Sequence, residues 1–292
     1  MHYHLMSRCV RRSWLCGRDP HTGKNYNYRK TWVKDRLFHL AQYFAVGVEA
    51  YTILDNHFHL IIYYDPKESQ RWDDHELVSR WTEAFPPKTR LKNPEDLEAL
   101  KQLQRDQLLT QPDRLREIRK TLGSVSYFMK YLKQPIAWRA NQEDKCKGHF
   151  FEKRFYSGAL LSEEHVIAAM AYVDLNPVRA KIARRIQQCR DSSIFDRLSK
   201  CANTPERLKE AVEPLVSGIN TESRQINISL QAYVEYLTLL TEPPTELTDK
   251  QEAWIKRVSS LRKRRRAYGP ADKIKEWMTK RGWKRMGNVL AQ

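Results

Sequence analysis

The chain has 292 residues, of which 41% are hydrophobic and 11% aromatic, enough to bury a sizeable core and to exclude an intrinsically disordered protein. Ten glycines and 13 prolines exclude collagen-like and low-complexity architectures, and no run approaches the roughly 20 apolar residues of a membrane span. Lys and Arg number 52 against 35 Asp and Glu, a formal charge of +17 that favours nucleic acid as the partner over an anionic membrane surface. Five cysteines without CxxC spacing, and a start without an apolar stretch, predict a cytoplasmic protein with reduced thiols.

The first 64 residues predict a strand, a helix and then a β-hairpin. Residues 3–8 alternate in character like a strand, and a helical pattern of apolar residues covers residues 29–44. Residues 46–54 and 57–64 are rich in β-branched and aromatic side chains, with the turn residues Asp55-Asn56 between them. This order is typical of an α+β, ferredoxin-like fold, an antiparallel sheet with helices on one face.

The middle of the chain is more polar. Residues 65–120 are rich in charge and contain two helical stretches, so they predict a helical insertion with solvated faces. A further helix is predicted over residues 124–140. Pro135 lies inside it and removes the hydrogen bond to the Tyr131 carbonyl, so we expect a kink or a break there.

A fourth strand and a basic C-terminal region complete the predicted elements. Residues 148–161 predict a turn into a strand, after which Ser162 is a candidate N-cap of a helix that stops near Asn176-Pro177. Short helical segments follow. Residues 256–285 hold 13 Lys or Arg and two acids, a density of positive charge that favours a phosphate-rich partner.

His57 and His59 are the strongest candidates for a metal site. They lie two apart on a predicted strand, so both imidazoles leave the same face. Such a pair can bind a divalent ion, Mg²⁺ or Mn²⁺, which would polarise a phosphodiester oxygen. Two structural histidines are the alternative. His2 and His4 share the spacing, and His4 can lie on the neighbouring strand.

Four sequence blocks resemble one protein family. They are YHLMSR at residues 3–8, YTILDNHFHL at 51–60, GHFFEKRF at 148–155 and AYVDLNPVRA at 171–180. Their order is similar to that of the REP-associated tyrosine transposases, members of the single-tyrosine HUH superfamily. The resemblance covers residues 1–64 and 121–185. It leaves the 65–120 insertion and a basic helical region, 186–292, outside the transposase-like domain.

The resemblance implies a ferredoxin-like sheet, a divalent metal, recognition of hairpins in single-stranded DNA and cleavage through a 5′-phosphotyrosine. The family's nucleophile falls at Ile136, which has no hydroxyl group. Tyr131, with Tyr127 in reserve on the same helix face, is the candidate nucleophile, and a packing role is the alternative. Gln134 or Asn141 is the candidate third metal ligand, or else a surface amide or helix-end cap.

Three functions therefore stay open at the level of sequence. The first is metal-dependent cleavage and rejoining of hairpin-forming single-stranded DNA, with a homodimer as a further expectation. The second is DNA or RNA binding by a protein that kept the fold and lost the tyrosine. The third is a nuclease that uses water. Candidate nucleic-acid contacts lie around the first strand, in the third block and in the basic tail: Arg8, Arg11, Arg12, Arg154, Arg262, Lys263, Arg264, Arg265 and Arg266. Trp277 and Trp283 follow the basic tail and could stack on unpaired bases.

Overall fold

The computed structural model describes residues 1–10, 16–20, 22–90, 93–152, 154–202, 204–222, 224 and 226–283. The strands are β1 (His2–Arg8), β2 (Val46–Ile53), β3 (His57–Tyr64), β4 (Tyr156–Leu160), β5 (Val216–Ser217) and β6 (Ala267–Tyr268). The first helices are α1 (Tyr28–Ala41), α2 (Glu68–Arg71), α3 (Asp74–Ala84), α4 (Pro94–Leu109), α5 (Pro112–Leu122) and α6 (Val125–Glu143). The later helices are α7 (Glu163–Asp174), α8 (Asn176–Arg179), α9 (Ser193–Cys201), α10 (Leu230–Thr241), α11 (Asp249–Ser260) and α12 (Ala271–Thr279).

The strands form one sheet in the order β5-β2-β3-β1-β4-β6. Neighbours are antiparallel except for β4 and β6, which run parallel. The predicted α+β fold with an antiparallel sheet is confirmed. The C-terminal region supplies the edge strand β6 and so takes part in the sheet. None of the helices in the described ranges is long and apolar enough to cross a membrane.

The sheet buries a different core on each face. On the first, Leu5, Leu60 and Ile62 pack with helices α1, α3, α5 and α6, and we call this side the α6 face. On the second, Ala50 and Ile61 pack with helices α7, α9, α10 and α11, and we call this side the α7 face. The sequence predicts helices on one face. The structure has a second helical layer on the other, because alternate strand residues on both sides of the sheet are apolar and must be buried.

The segment at residues 65–120 is helical, as predicted. Helices α3 and α5 pack their apolar residues Leu77, Trp81 and Ile118 into the core of the α6 face. Its polar residues lie on the outside, where ion pairs such as Arg105–Glu83 join neighbouring helices. The boundaries of the transposase-like domain, the insertion and the C-terminal region stay predictions.

Helix α6 runs without a break from Val125 to Glu143, with Pro135 inside it, so the expected break does not occur. Proline removes the amide that would bond to the Tyr131 carbonyl. In the structure Arg36 of α1 donates its Nε–H to that carbonyl oxygen, at 3.4 Å. A side chain from the neighbouring helix therefore replaces part of the hydrogen bonding that proline removes.

Candidate nucleic-acid interface

Three histidines meet on the α7 face. In β3 the two-residue spacing puts His57 and His59 on one side, with ring centroids 4.9 Å apart. His4 of β1 adds its ring, with Nε2 2.9 Å from His59 Nδ1 in a hydrogen bond. His4 and His59 are almost fully buried, at 2% and 3% exposure, whereas His57 is half-buried. We call His4, His57 and His59 the histidine cluster.

The histidine cluster is uncharged at neutral pH. Burial lowers the pKa of His4 and of His57 to about 3, with nearby arginine charge as a smaller cause. Burial also holds the pKa of His59 well below its ordinary value. The arginines that contribute are Arg264 at all three histidines and Arg8 at His57 and His59. Cations therefore surround a neutral, buried centre, an arrangement that favours an anion beside it.

These side chains, as arranged, do not form a metal site with three protein ligands. Within the described residues no three or more His, Cys, Asp or Glu side chains group so that they could hold a metal ion. His59 already uses Nδ1 to bond with His4. The guanidinium groups of Arg8 and Arg264 oppose a dication, and Mg²⁺ prefers oxygen ligands. Binding of Mg²⁺ or Mn²⁺ by His57 and His59 stays a prediction.

The predicted third metal ligands lie elsewhere. Asn141, near the end of α6, donates its side-chain N–H to the Gly148 carbonyl at 2.8 Å and so fastens the loop that follows. Gln134 is exposed on α6 and lines a cavity with residues such as Lys133 and Phe150. Helix α6 packs on the other side of the sheet from the histidine cluster, so the structure brings neither amide to it.

Tyr131 and Tyr127 also lie on the α6 face. The Tyr131 ring packs against Phe85, with centroids 4.6 Å apart, and against Phe44 at 6.4 Å. Tyr127 is half-buried against the same core, with the Lys130 ammonium 5.8 Å from its ring. The structure gives both tyrosines packing contacts and does not bring them to the histidines. Ile136, at the family's nucleophile position, is buried in that core.

A tyrosine that sequence analysis did not single out does reach the histidine cluster. Tyr172 of α7 places its ring centroid 5.8 Å from those of both His4 and His59. The Arg179 guanidinium lies 5.1 Å from the Tyr172 ring, and burial and Arg262 lower the Arg179 pKa. Both residues belong to the AYVDLNPVRA block. The presence of this block in the sequence could therefore have marked Tyr172 and Arg179 as candidate site residues. The spacing of residues within the block does not predict their contact with the histidines.

The residues Arg262–Arg266, which we call the basic loop, are anchored beside the histidine cluster. Tyr156 donates its hydroxyl to the Arg265 carbonyl oxygen at 2.6 Å, and Tyr268 donates to the Lys263 carbonyl oxygen at 2.7 Å. The Tyr156 ring also lies edge-on to His4, with centroids 5.6 Å apart. Strand β4 therefore links the basic loop directly to the histidines.

Gly158 permits this close approach. A Cβ at this position would clash with the Tyr156 hydroxyl and lie 2.9 Å from the Arg265 carbonyl oxygen. Because every other residue type carries that Cβ, glycine is needed for the basic loop to pass over β4. Gly158 thus helps to determine the position of the basic loop and its five cations.

The basic loop carries unpaired positive charge. Four of its side chains are exposed, and the half-buried Arg264 faces the histidines. Ion pairs between described residues include none from the basic loop, whereas cations of the insertion, such as Lys101 and Arg105, pair with acids. Arg266 instead places its guanidinium 4.8 Å from the Trp283 ring. Five adjacent uncompensated cations repel one another, so an anionic partner would stabilise the loop.

The remaining predicted contacts are spread along the same end of the sheet. Arg8 ends β1 directly opposite His57 and is half-buried. Arg154 is exposed just before β4 begins. Arg11 and Arg12 fall outside the described residues.

Comparisons with known proteins give one distant likeness. No family model matches the chain, and no curated protein matches it. Among solved structures the chain is similar to that of a REP-associated tyrosine transposase bound to a REP hairpin, with 10% sequence identity and a TM-score of 0.39. The match covers 78% of this chain and 93% of that one. A likeness this distant leaves the function to be argued from the residues of this chain.

Proposed function

We propose that this protein binds hairpin-forming single-stranded DNA, with the basic loop and the histidine cluster as the contact surface. One observation carries the proposal: five consecutive cations are anchored by Tyr156 and Tyr268 against the sheet, and none of them forms an ion pair with an acid among the described residues. Arginine side chains bind phosphate through paired N–H groups, and the release of counterions supplies much of the affinity.

Arg179 strengthens the case for phosphate. One terminal nitrogen of its guanidinium, Nη1, is buried and has no hydrogen-bond partner among the described residues. An unpaired buried donor costs about 1–3 kcal/mol, which a phosphate oxygen bound there would recover. Because Arg179, Arg264 and Tyr172 adjoin the histidine cluster, the same phosphate would lie on the α7 face.

Aromatic residues beside the cations favour a strand with unpaired bases. Trp277 and Trp283 have ring centroids 5.2 Å apart, and Arg281 lies 4.3 Å from the Trp277 ring. Bases without partners stack on such rings, whereas bases in a duplex cannot reach them. The four family-like sequence blocks support a hairpin as the form of that strand. A homodimer stays a further prediction.

Binding should be measured by fluorescence anisotropy of the full chain with a labelled DNA hairpin that has an unpaired tail. Competitors are the same strand made unable to pair, a blunt duplex and the equivalent RNA. The proposal expects the hairpin to compete best and salt to weaken binding steeply. Absence of hairpin binding at low salt would contradict it, and preference for RNA would change the class of partner.

Strand cleavage is a second candidate function, favoured by the position of Tyr172 against His4 and His59. In such a step the Tyr172 hydroxyl oxygen forms a bond to phosphorus while the bond to the 3′-oxygen breaks. The tyrosine proton ends on that leaving 3′-oxygen, and the product is a 5′-phosphotyrosine. Tyr131 stands on the opposite face of the sheet, in contact with Phe85.

A denaturing gel tests this second function. The protein is incubated with labelled hairpin and Mg²⁺ or Mn²⁺, and a covalent adduct is sought in the wild type, Tyr172→Phe and Tyr131→Phe. An adduct lost only in Tyr172→Phe supports cleavage at the histidine cluster. An adduct lost only in Tyr131→Phe contradicts the assignment to Tyr172. Hairpin binding without any adduct leaves DNA binding as the function.

A further inference from the structure

A cavity of about 340 Å³ opens at the end of the sheet where β1 begins and β3 and β4 end. Its walls include His2, Tyr63, Leu160 and Trp277. The basic loop leads directly into β6, which pairs with β4, and then into α12, which carries Trp277. Cavity and basic loop therefore lie along the same edge of the sheet, the basic loop where β6 begins and the cavity where β4 ends.

The cavity offers aromatic walls and one unsatisfied donor. The His2 and Tyr63 rings lie with centroids 5.0 Å apart. Trp277 is only 6% exposed, and its buried Nε1 has no hydrogen-bond partner in the part of the chain that the structure describes. Most buried indole N–H groups find an acceptor. A ligand with a hydrogen-bond acceptor and a flat apolar surface would accept the Trp277 N–H and pack against the aromatic rings.

The rim of the cavity carries an excess of positive charge. Lys273, Lys280 and Arg281 line it, together with the N-terminus of the chain. The acids on the rim have partners, since Glu276 pairs with Lys280 at 2.7 Å and Glu163 accepts from the Asn227 amide. Lys273 is exposed and forms no ion pair with any described residue. The rim thus fits an anionic group on a ligand whose flat apolar part lies inside the cavity.

We propose that this cavity takes one unpaired nucleotide of the bound strand, with its base between Tyr63 and Trp277 and its phosphate toward Lys273 and Arg281. The inference rests on the proposed function and adds to it a subsite for a single base. A nucleobase has the required flat surface and a ring nitrogen or carbonyl to accept the Trp277 N–H. The basic loop would then hold the backbone on one side of this base.

The first test measures binding of the four deoxynucleoside 5′-monophosphates to the full chain by ligand-observed NMR. We expect at least one to bind. Trp277→Phe should weaken it at least about threefold, because an aromatic ring stays while the indole N–H and part of the stacking surface are lost. Trp138→Phe is the matched control, since Trp138 is 65% exposed on α6. Lys273→Gln, a surface change, should also weaken it.

The second test uses a DNA hairpin with 5-iododeoxyuridine at an unpaired position, irradiated and mapped by mass spectrometry. We expect a cross-link to Trp277 or Tyr63. Hairpin binding with cross-links at the basic loop alone, and no mononucleotide binding, would overturn the inference and leave the proposed function standing. If the hairpin does not bind, the proposed function fails, and mononucleotide binding that ignores Trp277→Phe overturns the inference separately.

Discussion

The two faces of the sheet bury different kinds of side chain. On the α6 face, Leu60, Phe44 and Phe128 are fully buried among other apolar residues. On the α7 face, His4 and His59 are buried with partners of their own kind. Burying a polar group is unfavourable unless it is paired, so a chain keeps such groups where specificity or chemistry needs them. On the α6 face the fully buried Arg29 is neutralised by Glu143 and Asp144. The α7 face, with uncharged histidines beside exposed cations, is therefore the candidate for function.

Tyrosines follow the same division. Tyr131 packs between the aromatic rings of Phe44 and Phe85, with the Lys130 ammonium 5.7 Å from its ring. Tyr172 stands between two histidines and an arginine. The surroundings of a tyrosine therefore depend more on the layer of the fold in which it lies than on its residue type.

The largest expected effect is on stability, at Asp174 in the core behind the α7 face. This fully buried carboxylate accepts hydrogen bonds from the Ser193 hydroxyl, the Ile194 amide and, at 2.7 Å, the Tyr233 hydroxyl. Asp174→Ala takes this acceptor from the Ile194 amide and the Tyr233 hydroxyl, while the Ser193 hydroxyl keeps the Tyr51 carbonyl as an acceptor at 3.2 Å. The change should lower the free energy of unfolding by about 3–5 kcal/mol in urea titrations. Tyr233→Phe, which removes one bond, should lower it by only about 1 kcal/mol, and equal losses would contradict this account.

Acid should destabilise the α7 face next. The pKa values of His4 and His57 are depressed to about 3, so the unfolded chain binds their protons first as pH falls below the ordinary value of 6.5. Their contribution to stability is complete above pH 6.5 and is lost between about pH 6.5 and 3. Between pH 6.5 and 5.5 the contribution of each of these histidines to the free energy of unfolding should fall by about 1 kcal/mol, and that of His59 by a similar amount.

Urea titrations of the wild type and His4→Phe at the two pH values provide the measurement. The variant should show a fall in stability that is smaller by about 1 kcal/mol, because one proton site is gone. An equal fall in both proteins would show that folding does not lower the pKa of His4.

A third prediction separates packing from chemistry on the α6 face. Ile136→Ala opens a cavity in a buried site and should lower the free energy of unfolding by about 2–4 kcal/mol. Tyr131→Phe, which keeps the ring against Phe85, should change stability by less than about 1 kcal/mol. Neither should change hairpin affinity at temperatures where the variant is folded. Loss of hairpin binding in Tyr131→Phe would show that the Tyr131 hydroxyl takes part in DNA binding.

The local order of elements was predictable, because strands and helices depend on short-range patterns that residues 46–64 display clearly. The spacing of His57 and His59 also predicted their common face. What the sequence could not show was contact between distant segments. His4 reaches His59 across 55 residues and Tyr156 reaches Arg265 across 109, so neither pairing leaves a local signal. Helical spacing likewise does not say which face of a sheet a helix covers, so the sequence could not show that Tyr131 and Tyr127 lie on the α6 face. Their role as nucleophiles stays a prediction.

The smallest expected effect concerns Pro135. Arg36→Gln removes the N–H that reaches the Tyr131 carbonyl and should lower stability by about 0.5–1 kcal/mol. Pro135→Ala restores a backbone amide to that carbonyl, so in the double variant the Arg36 change should have a smaller effect. Thermal unfolding of the two single variants and the double variant measures the coupling. Strictly additive effects would show that the hydrogen bond from Arg36 to the Tyr131 carbonyl does not contribute to stability.

The most direct test of the central claim is the salt dependence of hairpin binding. Arg262→Gln, Arg265→Gln and Arg266→Gln together remove three exposed cations of the basic loop. The slope of log affinity against log salt should fall in magnitude by about 2, since each phosphate contact of a single strand contributes about 0.7. The matched control changes Arg90, Arg116 and Lys120, three exposed cations of the insertion, to Gln and should keep the wild-type slope. A slope reduced equally in both triple variants, or in neither, would contradict the basic loop as the site of phosphate contact.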